Sequence, residues 1–188
     1  MTTTMEVIKV SLSNSALDRL TQCPLSYFHA YINPERPPKE GVNDYYANYG
    51  TLIHFFAEMY PRTVYYPHWD WYENKEKEEE TIDNILNSYG NLIMEQKITL
   101  DVPKMVAIYD ELFPMIEFPN DDTREEYYEQ GATFIKQLPE MDWSKVIGLE
   151  QYFRFEIDGV GSPVTGLIDK VERDEIGQIV TDYKTSKP

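Results

Sequence analysis

An α/β fold is predicted from three observations. The last quarter of the chain carries three strand-like stretches in quick succession, VIGLEQYFRFEID, VTGLIDKVER and QIVTDYKTS. The stretches DGVGSP and RDEIGQ between them have the composition and length of hairpin turns. Helical apolar spacing dominates what comes before. At 188 residues, with 41% hydrophobic and 14% aromatic side chains, the chain is expected to form one domain with a core of its own.

The first helix lies in SLSNSALDRLTQCPLSYFHAYI, where Ser11 or Ser13 serves as N-cap and Leu12, Ala16, Leu17 and Leu20 share a face. Pro24 ends that helix or opens the next. Cys23, at the junction, reads as a small buried apolar residue, and a single cysteine forbids an intramolecular disulfide. Past the proline-rich NPERPPKEG, the stretch NDYYANYGTLIHFFAEMY forms a longer helix. Within it Gly50 lies one turn before His54 on the same face, leaving room beside the imidazole for a strand or a metal. A lone histidine among Phe, Ile and Leu is also a common core residue, and both readings stand at this point. Glu58, one turn further on, is either an exposed carboxylate or a hydrogen-bond partner of the ring. His29 and His68 match no pattern and read as structural.

The middle of the chain is aromatic, acidic and helical. TIDNILNSYGNLIMEQK places Ile82, Ile85, Leu86, Tyr89, Leu92 and Ile93 near helical spacing, and KMVAIYDELFPMIEF and TREEYYEQGATFIKQL read as two further helices. Tyr65, Tyr66, Trp69, Trp71 and Tyr72 have rings suited to stacking on unpaired bases, but without interleaved basic residues they read better as packing. ENKEKEEE reads as a solvated first helical turn.

In the strands, period-2 alternation sets Ile147, Leu149, Phe153, Phe155 and Ile157 on one face and Glu150 on the other. The second strand puts Thr165, Leu167, Asp169 and Val171 on one face. The third puts Val180, Asp182 and Lys184 together, opposite Ile179, Thr181 and Tyr183. Asp169 then meets Asp182 across the sheet if the register allows. Two carboxylates and an ammonium at a strand end suit Mg²⁺ or Mn²⁺, which take hard oxygen ligands and activate water against a phosphoryl group.

Net charge is −16, which argues against tight unaided binding of phosphate backbones. The excess is local. Residues 41 to 144 hold seven basic and 21 acidic side chains, whereas the motif-bearing ends are near neutral. Carboxylates gathered around metal ions are also what such chemistry needs. No apolar leader follows a basic start, and no apolar run approaches membrane-spanning length, so a cytoplasmic protein is expected. No G-x-x-x-x-G-K-[ST] occurs, so helicase activity is not expected of this stretch.

The motif order GTLIH (Gly50 to His54), Glu150, GLID (Gly166 to Asp169) and DYKTS (Asp182 to Ser186) resembles the RecB-like branch of the PD-(D/E)XK nuclease superfamily. That branch includes CRISPR-associated RecB-like exonucleases and the nuclease domains of the AddAB and RecBCD helicase complexes. The resemblance covers about residues 11 to 60 and 145 to 188 and leaves a helical acidic insert, about 61 to 142. It implies a restriction-endonuclease-like core with a mixed sheet, N-terminal helices, and a Mg²⁺- or Mn²⁺-dependent DNA nuclease, exonucleolytic, serving DNA repair, recombination, phage or CRISPR-related processing. In it Asp169 and Asp182 bind the metal, His54 completes or flanks the shell, and Lys184 positions the attacking water. Glu150 supports the site, and Thr185 and Ser186 contact phosphate. The implied partners are DNA and a helicase or recombination protein, without a membrane. Some relatives place a cysteine in a context like that of Cys23 and three more beyond the D-x-K strand to hold an iron–sulfur cluster; here those three would need a C-terminal extension. The family continues past this strand with a helix bearing Q-x-x-x-Y, so the C-terminal part of the fold is expected to be missing. The rival readings are a catalytically silent nuclease-like module that binds DNA or protein, and an acidic DNA mimic.

Overall fold

The computed structural model describes residues 12–33, 35, 45–66, 81–96, 98–158 and 162–185. Six α-helices and three strands are found among them: α1 (Asn14–Gln22), α2 (Pro24–Tyr27), α3 (Tyr45–Val64), α4 (Ile82–Glu95), α5 (Val102–Leu112), α6 (Asp121–Gln137), β1 (Val146–Phe155), β2 (Val164–Arg173) and β3 (Gln178–Thr181). The strands form an antiparallel sheet of order β1-β2-β3. The parallel pairing that makes a sheet mixed is confined here to an isolated bridge between Leu12 and Val164. The chain divides into two compact units, one of residues 1–42 and 150–168, the other of residues 43–149 and 169–188.

In the first unit, Ser13 caps α1 by accepting the Ala16 N–H, which decides between the two serines. Pro24 takes the first position of α2, where its missing N–H costs nothing. Cys23 is exposed rather than buried. It stands at the N-cap of α2, and its Sγ accepts the Ser26 N–H at 3.5 Å, a place that faces water. An iron–sulfur cluster would need further cysteines beside this one. A π-helical turn, Phe28–Ile32, continues α2 and brings Asn33 within 3.4 Å of His29 Nδ1.

The core of the second unit is built around α3. Tyr49, Leu52, Ile53, Phe55, Phe56, Met59 and Tyr60 are all buried, so this helix is covered on most of its circumference. Along its middle, Gly50, Thr51, His54 and Glu58 form a half-exposed line on one face. Helices α4, α5 and α6 supply the covering side chains, among them Leu86, Ile93, Met105, Tyr109, Leu112, Tyr127 and Ile135. Each of these helices has the N-cap its sequence offers: Thr81, Asp101 and Asn120 accept from Asn84, Lys104 and Thr123. Tyr66 donates its hydroxyl to the carbonyls of Trp143 (2.6 Å) and Val146 (3.0 Å), so it packs as expected. Trp69, Trp71, Tyr72, His68 and ENKEKEEE lie outside the described residues.

The period-2 reading of β1 fails. Val146 and Leu149 are the core residues, whereas Ile147, Phe155 and Ile157 are exposed. Glu150, directly after Leu149, has a φ of 45°, left-handed backbone that interrupts the pleat there. In β2, Thr165, Asp169 and Val171 are buried, whereas Leu167 of the same predicted face is exposed. The turn before β3 is closed by Asp174, whose carboxylate accepts the N–H groups of Ile176 and Gly177 at 2.8 Å each. These amides hold its pKa below the usual carboxylate value.

Candidate active site

The register of β2 against β3 pairs Lys170 with Thr181 and Val171 with Val180. Continued by one residue, it sets Asp169 opposite Asp182, as the alternation predicts. The strand ends at Thr181, however, and the two aspartates diverge from there. Asp169 turns inward and is buried; Asp182 stays exposed, its Oδ2 at 2.6 Å from Lys184 Nζ.

Asp169 is held by its surroundings. One carboxylate oxygen accepts the backbone N–H of Tyr183, and the other lies 3.6 Å from His54 Nδ1. The half-exposed line of α3 carries His54 to this place, so the imidazole is no ordinary core residue. Its Nε2 lies 3.2 Å from the carbonyl oxygen of Tyr183. A carbonyl only accepts, so Nε2 donates to it, and Nδ1 is the ring nitrogen turned toward Asp169. Nδ1 and this carboxylate oxygen, 3.6 Å apart, are placed to share a proton or a metal ion. Both lie within reach of one ion with bonds of about 2.1 Å, and a backbone carbonyl behind a ligating imidazole is the usual outer support of such a ligand. The donor set therefore fits a divalent cation.

Tyr183, the middle residue of D-x-K, is a positioning residue that the sequence reading passed over. Its backbone N–H fixes one candidate ligand and its C=O fixes the other, while its ring meets those of His54 and Phe134 edge-on at 6.1 and 6.0 Å. The signal available beforehand was an aromatic side chain between the aspartate and the lysine, too common to single out.

Lys184 is largely exposed, and the hydrogen bond it donates to Asp182 raises its pKa above the ordinary 10.5, with the charges of Asp182 and Asp169 adding to the effect. It is an ammonium throughout the neutral range, fit to stabilise negative charge and unfit to accept a proton. Thr185 packs beside Gly50. A Cβ at position 50 would stand 3.1 Å from Thr185 Oγ1, so the glycine of GTLIH makes room for the segment that follows D-x-K. Ser186 lies outside the described residues. Glu150 is half-buried in the strained conformation already noted, a feature that clusters at functional positions in proteins. Glu58 is half-buried and pairs with the buried Arg62 at 2.7 Å, one turn further along α3.

A sequence profile of the PD-(D/E)XK nuclease superfamily matches residues 11–188. The chain belongs to that superfamily of metal-dependent nucleases. No curated protein and no solved structure gives a significant match. The match runs through the helical insert, which the motif resemblance left uncovered. None of the described helices is long and apolar enough to cross a membrane.

Proposed function

We propose that this chain is a Mg²⁺- or Mn²⁺-dependent deoxyribonuclease of the RecB-like branch. In this reading it acts exonucleolytically in the cytoplasm, in DNA repair, recombination, or phage or CRISPR-related processing, beside a helicase or recombination protein. The observation that carries the reading is the pairing of His54 Nδ1 with Asp169, each oriented by the backbone of Tyr183. His54 and Asp169 would hold the cation; Asp182, exposed beside Lys184, would turn inward from the opposite register position to add its carboxylate, and Glu150 would support them. When bound, the cation supplies Lewis acidity to the phosphodiester and acidifies the attacking water.

The remaining roles belong to the chain itself. Tyr183 locks the two donors before substrate arrives, so little reorganisation is needed during the reaction. Lys184, kept charged by Asp182, orients the attacking water and stabilises the negative charge that grows on the phosphoryl oxygens. The Thr185 hydroxyl, placed by Gly50, donates to a phosphate oxygen.

The test is digestion of single- and double-stranded DNA, linear and circular, with and without Mn²⁺, by the parent and by Lys184→Ala. The parent should degrade linear DNA and spare circles, and the variant should lose ~10²-fold or more in rate while keeping its metal-induced thermal shift. Metal binding without cleavage of any substrate would make the chain a silent nuclease-like module. No metal binding at all would leave the acidic mimic.

A further inference from the structure

A cavity of about 470 Å³ opens beside Lys184 and Thr185, between α3, α6 and the segment after β3. We propose that it is a subsite for one unpaired nucleobase of the DNA, adjacent to the scissile phosphate. The proposal rests on the nuclease reading given above.

The volume lies within the range of small-ligand sites. The lining supplies the chemistry. Gln130, Thr133, Phe134 and Gln137 follow one another at i, i+3, i+4 and i+7, so α6 presents them as a single stripe. The rest of that helix is strongly acidic, with Asp121, Asp122, Glu125, Glu126 and Glu129. A neutral stripe of two amides, a hydroxyl and a phenyl ring is thus an exception on the surface where it lies. Apart from Lys184 at the rim, no cation lines the cavity, so a phosphate has nothing to hold it inside. A base fits better: the ring of Phe134 offers a stacking face, and the amides of Gln130 and Gln137 offer donors and acceptors to a base edge. Glu129 adds an acceptor for an exocyclic amino group and repels any phosphate placed deeper. The phosphate then stays at Lys184 and Thr185, where the cleavage chemistry is. A base inside a duplex cannot present its face and edge in this way, so the occupant is unpaired.

The cavity is also tied to the catalytic donors. Tyr183 lines it, touches Phe134 edge-on, and with its own backbone holds both Asp169 and His54. A base seated against Phe134 presses on the segment that sets these ligands, so the correct seating of substrate favours the arrangement that cleaves.

The test uses a single-stranded oligonucleotide carrying 2-aminopurine at its end, titrated in Ca²⁺, and a blunt duplex with the same label. Stacking should quench the probe in the single strand and leave the duplex unchanged. Phe134→Leu should remove most of the quenching and weaken binding about tenfold, the scale of one base–aromatic stack. Gln130→Ala with Gln137→Ala, both at exposed positions of α6, should change the preference for the base next to the cleaved bond without altering the Mn²⁺-induced thermal shift. Quenching and base preference that survive both variants would overturn the subsite, even in an active nuclease. Quenching lost in Phe134→Leu, in a protein that cuts no DNA, would uphold the subsite while the nuclease reading fell.

Discussion

Asp169→Asn separates the metal-binding role of this carboxylate from its structural role. In the metal-free protein the substitution should cost little. An amide has the same shape, its oxygen still accepts the Tyr183 N–H, and its NH₂ group can donate to the lone pair of His54 Nδ1, which now faces a carboxylate oxygen at 3.6 Å. The expected change in apo stability is within ~1 kcal/mol. The effect on metal linkage is large by comparison. A cation at 100 times its dissociation constant stabilises the native state by about 2.7 kcal/mol, which for a chain of this size is a rise in Tm of roughly 5 to 11 °C. Asp169→Asn should lose nearly all of that rise.

Thermal melts across a Mn²⁺ titration, parent against variant, measure both quantities. Asp169→Ala serves as the contrast: it deletes the acceptor of the Tyr183 N–H and should lower apo stability by about 1–3 kcal/mol, the cost of a buried amide without a partner. An Asn variant that keeps the full Mn²⁺ shift would refute the assignment of this carboxylate to the metal. An Asn variant that melts as low without metal as Asp169→Ala would refute the account of how Tyr183 holds it.

Three further outcomes follow from close contacts and charge. Gly50→Ala should leave stability near the parent, because helix propensity gains about what the contact with Thr185 Oγ1 at 3.1 Å costs, yet it should slow cleavage about tenfold by displacing Thr185; adding Thr185→Ala should remove the steric part, as a double-mutant cycle would reveal. Gly131→Ala should lower Tm by roughly 5 °C, since its Cβ would fall 2.3 Å from the buried Tyr109 hydroxyl, measured by calorimetry. The Lys184 ammonium, with its pKa raised in the folded state, should contribute to rate at every pH below the ordinary 10.5 and fade only as the pH rises through its own folded value. A pH–rate profile whose alkaline limb sits at pH 8–9 and vanishes in Lys184→Arg would contradict this.

The sequence carried the outline of the fold because its signals are local. Three strands separated by DGVGSP and RDEIGQ, helices with Thr81, Asp101 and Asn120 at their caps, and the hairpin closed by Asp174 all follow from periodicity and capping chemistry. What it hid are departures from a period. Glu150 occupies left-handed backbone that no β-propensity favours, and the burial of β1 departs from alternation already at Ile147 and Leu149 before it. Cys23 is a good core residue by composition, yet a cap position at a helix N-terminus placed it in water.

The site divides along the same line. Alternation found that Asp169 and Asp182 share a register position, but it cannot say that β3 stops at Thr181, and it is this stop that lets the two carboxylates part. Once regular pleating ends, the backbone of Tyr183 is no longer committed to ladder pairing. Its N–H and C=O are then available to Asp169 and His54, two side chains 115 residues apart in sequence. A strand continued through Lys184 would send those groups to a neighbouring strand instead. The early end of β3 is therefore part of how the site is made: the two donors are oriented by main-chain atoms, which no side-chain substitution at position 183 deletes. Tyr183→Phe or Tyr183→Leu should accordingly keep the metal-induced thermal shift. A substitution to proline, which removes the N–H, should abolish it, and equal shifts in all three variants would show that Asp169 does not depend on this amide.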